Sequence, residues 1–430
     1  MKNIKYKQMK NARILSLTCA AVLFSLPAFA QQTEQFEISE QFDVSTTRPQ
    51  MNNTGRLSTR LKNAMKRLEN DVEGFEEDYN KFKSMLSDDF GIQYSLDVSF
   101  MGQKGVPNGG KTATQSIYAP TFSWQIFNDD TYGSGTINAS YTAVRYWGNK
   151  AENIGDKLFL ANSINDYSTP SNAIDQLSYT QSLFNNKFSV TVGQFPLSDF
   201  DGTQYDSNQQ TNFINYALSQ NASETYPIAG LGAYVQINPN EEWSFAGGFQ
   251  NARNITGQTL SSKGWGDHRF TTFGSVSYTP TINGQAGQYS LLVYNQPSVD
   301  TQPQNTTGWS VNMSQNLTEK WGVFLRVNAA TGDSMPVTQS YVAGGVYNNP
   351  LDRNPLDQIG FAVAYNKVSK DYFDSSEPMR QYETVLETYW NIGITQFFTI
   401  APDIQLYVHP ASKRDRDFGT VFSLRGTILL

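Results

Sequence analysis

Residues 383–410 read ETVLETYWNIGITQFFTIAPDIQLYVHP, and whether this stretch is helix or strand decides the architecture. Glu383 and Glu387 lie four apart in a run of Val, Leu, Tyr, Trp, Ile and Phe. On a helix the two would be neighbours on one face, with Cβ atoms about 5–6 Å apart. On a strand they share a face but lie ~13 Å apart, beyond the ~5–9.5 Å that two-carboxylate glycoside hydrolysis requires. The next segment answers the question: in DIQLYV, Ile404, Leu406 and Val408 alternate with Asp403, Gln405 and Tyr407, a period of two.

The same period runs through the chain from Gly91 onward. GIQYSLDVSF sets Ile92, Tyr94, Leu96, Val98 and Phe100 against Gln93, Ser95, Asp97 and Ser99. KWGVFLRVNA sets Trp321, Val323, Leu325 and Val327 against Phe324, Arg326 and Asn328, and QIGFAVAY sets Ile359, Phe361, Val363 and Tyr365 against Gln358, Gly360, Ala362 and Ala364. TVFSLRGTILL sets Phe422, Leu424, Ile428 and Leu430 against Ser423, Arg425 and Thr427. Looser runs occupy 115–126, 134–148, 158–164, 176–184, 187–195, 229–237, 242–250, 269–279, 286–294, 307–315, 340–347 and 381–398. About sixteen to eighteen strands result, joined alternately by tight turns such as FNNK (184–187) and NPNEE (238–242) and by long loops such as 196–228 and 250–268. Tyr94, Phe100, Trp321, Tyr365 and Trp390 stand near strand ends on the apolar face, and the opposite face is polar. Aromatic girdles, an apolar exterior and a wet interior predict an all-β, antiparallel transmembrane β-barrel over 90–430.

The N-terminus sets the compartment. Lys2, Lys5, Lys7, Lys10 and Arg13 precede the apolar run ILSLTCAAVLFSL, which ends in PAFA before Gln31, so 1–30 reads as a secretory signal peptide cleaved after Ala30. The apolar run is too short for the ~20 residues of a spanning helix. Cys19, the one cysteine, lies inside that segment, so the exported chain has no disulfide, thiolate metal site or cysteine nucleophile. The segment holds five of the 32 Lys and Arg and none of the 39 Asp and Glu; the remainder carries 27 basic against 39 acidic residues, net −12, which speaks against nucleic acid. Residues 31–56 are a polar, aperiodic leader. From 57 to 88, Met65, Leu68, Val72, Phe75, Tyr79, Phe82 and Leu86 recur at steps of three and four, a short helical, coiled-coil-like segment that serves as an oligomerising or spacer helix or packs on the barrel.

Enzymatic constellations are thin. His268 and His409 are the two histidines, which rules out an HExxH site, and neither belongs to a serine elbow. GLG at 230–232 lacks the third glycine of a dinucleotide loop. DFDGTQYD (199–206) offers Asp199, Asp201 and Asp206, but the twelfth position is Gln210 rather than Glu, so a plain loop is the better reading than calcium binding. Strand parity instead nominates pore-lining residues: Asp97, Arg326, Glu383, Glu387, Asp403, Gln405 and Arg425, with Arg269 and the tyrosines Tyr234 and Tyr407 beside them. Facing lipid, each Arg would cost ~2–4 kcal/mol at the midplane. Facing inward, these groups meet solute hydroxyls or hold inward-folded loops.

The stretch QYETVLETYWNIGITQFFTIAPDIQLYVHPA resembles the C-terminal signature of carbohydrate-selective porins of the OprB type, through Glu383, Glu387, Tyr389, Pro402, Asp403, Gln405 and Pro410. NKFSVTVGQFPLSDFDG (186–202), TNFINYAL (211–218) and YPIAGLGAYVQINPN (226–240) resemble the middle of the same family in order and spacing. The resemblance implies a barrel of about sixteen strands in the bacterial outer membrane that passes sugars or other small polar solutes by diffusion, without a cofactor or catalytic residue. It also implies outer-membrane lipids, the barrel-assembly machinery and a homotrimer as partners. The chain departs from the usual barrel end, Phe or Trp, in closing on Leu430. The alternatives are a general or non-sugar porin tethered to the envelope by the 57–88 helix, and a secreted β-rich glycoside hydrolase using Glu383 and Glu387.

Overall fold

The computed structural model describes residues 75–129, 131–333, 335–373 and 379–430. The signal segment, the leader and the coiled-coil-like positions before Phe75 lie outside the described residues. Within them, a helix α1 (Phe75–Phe90) leads through Gly91 into β1 (Ile92–Val106). Gly91 sits at φ +66, and a Cβ there would fall 2.6 Å from the Gln125 carbonyl oxygen, so only glycine makes this corner.

The remaining strands follow as an up-and-down meander: β2 (Ala113–Asp129), β3 (Gly133–Tyr146), β4 (Ser171–Leu183), β5 (Phe188–Phe195), β6 (Gly230–Ile237), β7 (Trp243–Asn251) and β8 (Phe270–Tyr278). After a two-residue β9 (Thr281–Ile282) come β10 (Gln285–Gln296), β11 (Thr306–Asn316), β12 (Trp321–Ala330), β13 (Val337–Asn348), β14 (Gln358–Val368), β15 (Tyr382–Gly393), β16 (Phe398–Val408) and β17 (Phe418–Leu429). Each spanning strand pairs antiparallel with its sequence neighbour, and β1 pairs with β17 from Asp97↔Leu429 to Val106↔Thr420. That last pairing closes a sixteen-strand barrel and removes both sheet edges.

Connections mostly alternate in length, as the turn residues predicted, with 349–357 a longer connection on the rim of short turns. At 184–187, Phe184, Asn185 and Asn186 all take left-handed φ (56, 54 and 63), a conformation Asn tolerates in tight hairpins. The opposite rim carries 147–170, 196–229 and 252–269. Two segments depart from the sequence expectation. Residues 158–164 are not a strand: helix α2 (Ala151–Leu158) ends in a left-handed Phe159, and the chain turns into the barrel. The run 381–398 is a single strand followed by the turn 394–397, after which β16 starts.

The outward face is apolar, with Phe100, Trp321, Phe361, Tyr365 and Trp390 exposed. One outward patch is covered: Tyr94, Leu96 and Val98 of β1, Ile428 of β17 and Leu430 pack with Tyr79 of α1 and Phe397. Helix α1 therefore lies across the outside of the β1–β17 closure, with the Lys83 ammonium 5.1 Å from the Tyr94 ring centroid. Of the seam positions, Tyr79 is buried there while Phe82 stays exposed.

Candidate functional site

Inside the barrel, two long loops fold inward and meet the wall at the residues that parity nominates. Glu383 and Glu387 both point inward from β15 and are buried. The Glu383 carboxylate accepts backbone N–H groups from Ala161 (2.8 Å), Asn162 (3.1 Å) and Ala411 (2.9 Å). The Glu387 carboxylate accepts those of Ile214 and, at 2.9 Å, Asn215. Each glutamate thus holds a different loop, 147–170 or 196–229. A carboxylate is the right group because loop backbone turned into a barrel presents donors with no ladder to join.

Neighbouring wall residues complete the grip. Gln405 donates to the Ile164 carbonyl at 3.0 Å, and the Tyr407 hydroxyl receives the Asn215 amide at 2.6 Å. Arg425 donates to the carbonyls of Gln209 and Asn212 and, at 2.8 Å, to the Asn391 side chain. Arg326 pairs with Asp206 of the 196–229 loop at 2.6 Å, both side chains essentially fully buried. Asp201 accepts from Asn312 and Asn221, each at 2.9 Å, so the DFDGTQYD loop is tied to the barrel through two of the carboxylates weighed as calcium ligands.

Apolar contacts lock the same loop. Phe324 on β12 lies over Gly344 of β13, and Tyr389 on β15 lies over Gly360 of β14; a Cβ at either glycine would come within 2.4 and 2.2 Å of those rings. The Phe213 ring of the loop enters between them, 5.5 Å from Phe324 and 4.9 Å edge-on from Tyr389. Paired inward glycines make the wall thin enough to seat a buried aromatic plug. A second cluster, Phe195, Phe200, Tyr234 and Phe273, seats the start of the loop, and there Tyr234 packs at 4.8 Å from Phe195.

The other nominated residues are placed differently. Asp403 is buried on the inner face across from Ser423, in the field of Glu387 and Arg425. Asp97 faces inward opposite Ala119 and Leu429. Arg269 precedes β8 in the exposed 252–269 loop, 3.4 Å from the Ser298 hydroxyl, and belongs to the rim rather than the wall.

Sequence parity could not find the loop residues that these anchors position. Asn215 caps the single helical turn Tyr216–Ser219, its side chain accepting from the Ala217 N–H. From that turn the Tyr216 hydroxyl donates to Glu224 at 2.5 Å, while Ser219 donates to Asp166 of the other loop. Asp166, Tyr216 and Glu224 are half-buried, and neither carboxylate joins an ion pair among the described residues. Burial pushes both carboxyls up, to about 7, against the lowering effect of their hydroxyl donors.

A closed sixteen-strand barrel, apolar outside and polar inside, with loops folded into its lumen, is a porin of the bacterial outer membrane, a channel class rather than an enzyme class. Residues 134–302 and 266–430 match the sequence profile of the carbohydrate-selective porins, OprB family, and the chain belongs to that family. It is 39% identical over 354 residues to porin AaxA of Chlamydia abortus, spanning 80% of this chain and 79% of the relative. It is 36% identical over 346 residues to porin AaxA of Chlamydia pneumoniae, spanning 79% of each. In fold it matches the high-pH structure of Pseudomonas putida OprB with a TM-score of 0.68 at 19% identity, covering 82% of this chain and 97% of that one.

Proposed function

We propose that the channel passes small polar solutes, sugars among them, through an eyelet bordered by Asp166, Tyr216 and Glu224, favouring neutral and cationic solutes over anions. One observation carries this reading. The charged wall groups Arg326, Glu383, Glu387 and Arg425 are buried and engaged by loop atoms, whereas the two loop carboxylates, held only by neutral donors, stay half-buried and outside any ion pair among the described residues. Carboxylates accept hydrogen bonds from sugar hydroxyls and repel anions in a narrow, weakly screened passage. The Tyr216 ring adds a face against which a pyranose can stack.

On this reading the nominated wall residues act as anchors that set the eyelet, and passage needs no covalent step and no cofactor. Glu383 and Glu387 have no hydrolytic role, being ~13 Å apart along one strand. Signal cleavage after Ala30, insertion by the barrel-assembly machinery and assembly as a homotrimer complete the proposal. Purified protein in planar bilayers tests it: discrete conductance, reduced by added sugars and larger for potassium than for chloride, is expected. Protein that inserts yet carries no current, or that prefers chloride, refutes it.

A further inference from the structure

The rim of short turns, which is the periplasmic one, carries a cleft of about 650 Å³ on its outer side that diffusion through the lumen does not use. It opens between the turns 279–284 and 317–320 and is walled by Tyr289, Gln315, Trp321 and Tyr347, with Glu319 and Lys320 at its edge. Tyr289, Gln315, Trp321 and Tyr347 all occupy outward positions of their strands, so the cleft faces lipid rather than the pore. It lies at the depth of the aromatic belt, where the headgroups of the inner leaflet sit.

We propose that this cleft binds the headgroup of one zwitterionic aminophospholipid, a phosphoethanolamine lipid. Three features fit that chemistry. The Lys320 ammonium stands 5.9 Å from the Tyr347 ring centroid and 2.8 Å from Asp352, held at the mouth where it reaches a phosphate. That ion pair is solvent-exposed, 36% and 62% at the two side chains, so exchanging Asp352 for phosphate costs little. Glu319 lines the cleft and Asp352 pairs with its one ammonium, Lys320, a balance that disfavours a net-anionic headgroup and suits one carrying its own amine. Beyond the cleft, Leu291, Met313, Val323 and Leu325 form an exposed outward strip along which acyl chains lie.

Full-length protein in mild detergent, titrated with dioleoylphosphatidylethanolamine or dioleoylphosphatidylglycerol and read by native mass spectrometry, tests the site. One retained phosphatidylethanolamine per chain is expected, held in preference to phosphatidylglycerol. The double substitution Lys320→Ala/Trp321→Ala should cut retention roughly five-fold, while Trp390→Ala, on the same rim two strands beyond Tyr347, should not. Heat-modifiable migration on gels shows that each variant keeps its barrel, and Lys320→Gln supplies a milder change with the same expected direction. Unchanged retention in the folded double variant, or equal retention of the anionic lipid, overturns the proposal. So does loss of oligomer without loss of lipid, which would give the cleft to a second copy of the chain.

Discussion

Glu387, on the barrel wall, accepts the backbone N–H of Asn215 at 2.9 Å across 172 residues of chain. The same Asn215 caps the helical turn from which Tyr216 reaches Glu224. A carboxylate on the wall is thus coupled through backbone to a carboxylate at the proposed eyelet.

The companion anchor should be separable. Glu383→Ala leaves the N–H groups of Ala161, Asn162 and Ala411 without their acceptor. At about 1–3 kcal/mol for each orphaned buried donor, the 147–170 loop should detach before the barrel unfolds. Limited proteolysis should then cut near Ala161 in folded variant, with wild type resistant.

Breaking the buried pair should be costlier than removing it. Arg326→Met leaves Asp206 buried with no cation, a loss of about 3–5 kcal/mol. Arg326→Met together with Asp206→Asn should recover part of that, although Asp206 also accepts the Thr203 N–H and hydroxyl, each at 2.6 Å. The temperature at which heat-modifiable migration is lost gives the order: wild type highest, double variant between, single variant lowest.

Ion preference should vary with pH. Asp166 and Glu224 titrate near 7, so both are largely neutral at pH 5.5 and charged at pH 8.5. Reversal potentials in a potassium chloride gradient should show potassium preference rising across that window, and Asp166→Asn/Glu224→Gln should flatten the rise. The sign for stability is opposite. Folding raises both pKa values, so their contribution is fully present below the unfolded carboxylate range and is lost as pH climbs through about 7. Loop protection from protease should therefore weaken with rising pH.

Helix α1 should support the barrel without shaping the pore. Tyr79 packs on Leu96, Val98 and Leu430 outside the closing strands. Tyr79→Ala removes buried aromatic contact and should lower the heat resistance of the barrel, by a few kcal/mol at most. Single-channel conductance should stay at the wild-type level.

Period-two alternation made the barrel legible because side-chain direction in a strand is local: Glu383, Arg326 and Arg425 face inward by parity alone. The contrast in connection length separated the two rims for the same reason. What the pattern could not carry is what those side chains meet, since the partners of Glu387 lie 172 and 173 residues away in a loop without periodicity. The segment 158–164 shows the limit from the other side: Phe159, Ala161 and Ile164 look strand-like in a short window, yet the chain there is irregular, and Glu383 satisfies its Ala161 and Asn162 donors. Arg269 lies one residue before β8 begins, where parity no longer fixes a direction.

The most direct test of the account compares single-channel conductance of wild type and Glu387→Ala in planar bilayers. If wall carboxylates hold the loops that narrow the channel, releasing Ile214 and Asn215 should raise the conductance, add current noise and weaken the block by sugars, while the barrel keeps its heat-modifiable migration. A folded Glu387→Ala barrel with wild-type conductance, noise and sugar block would contradict it.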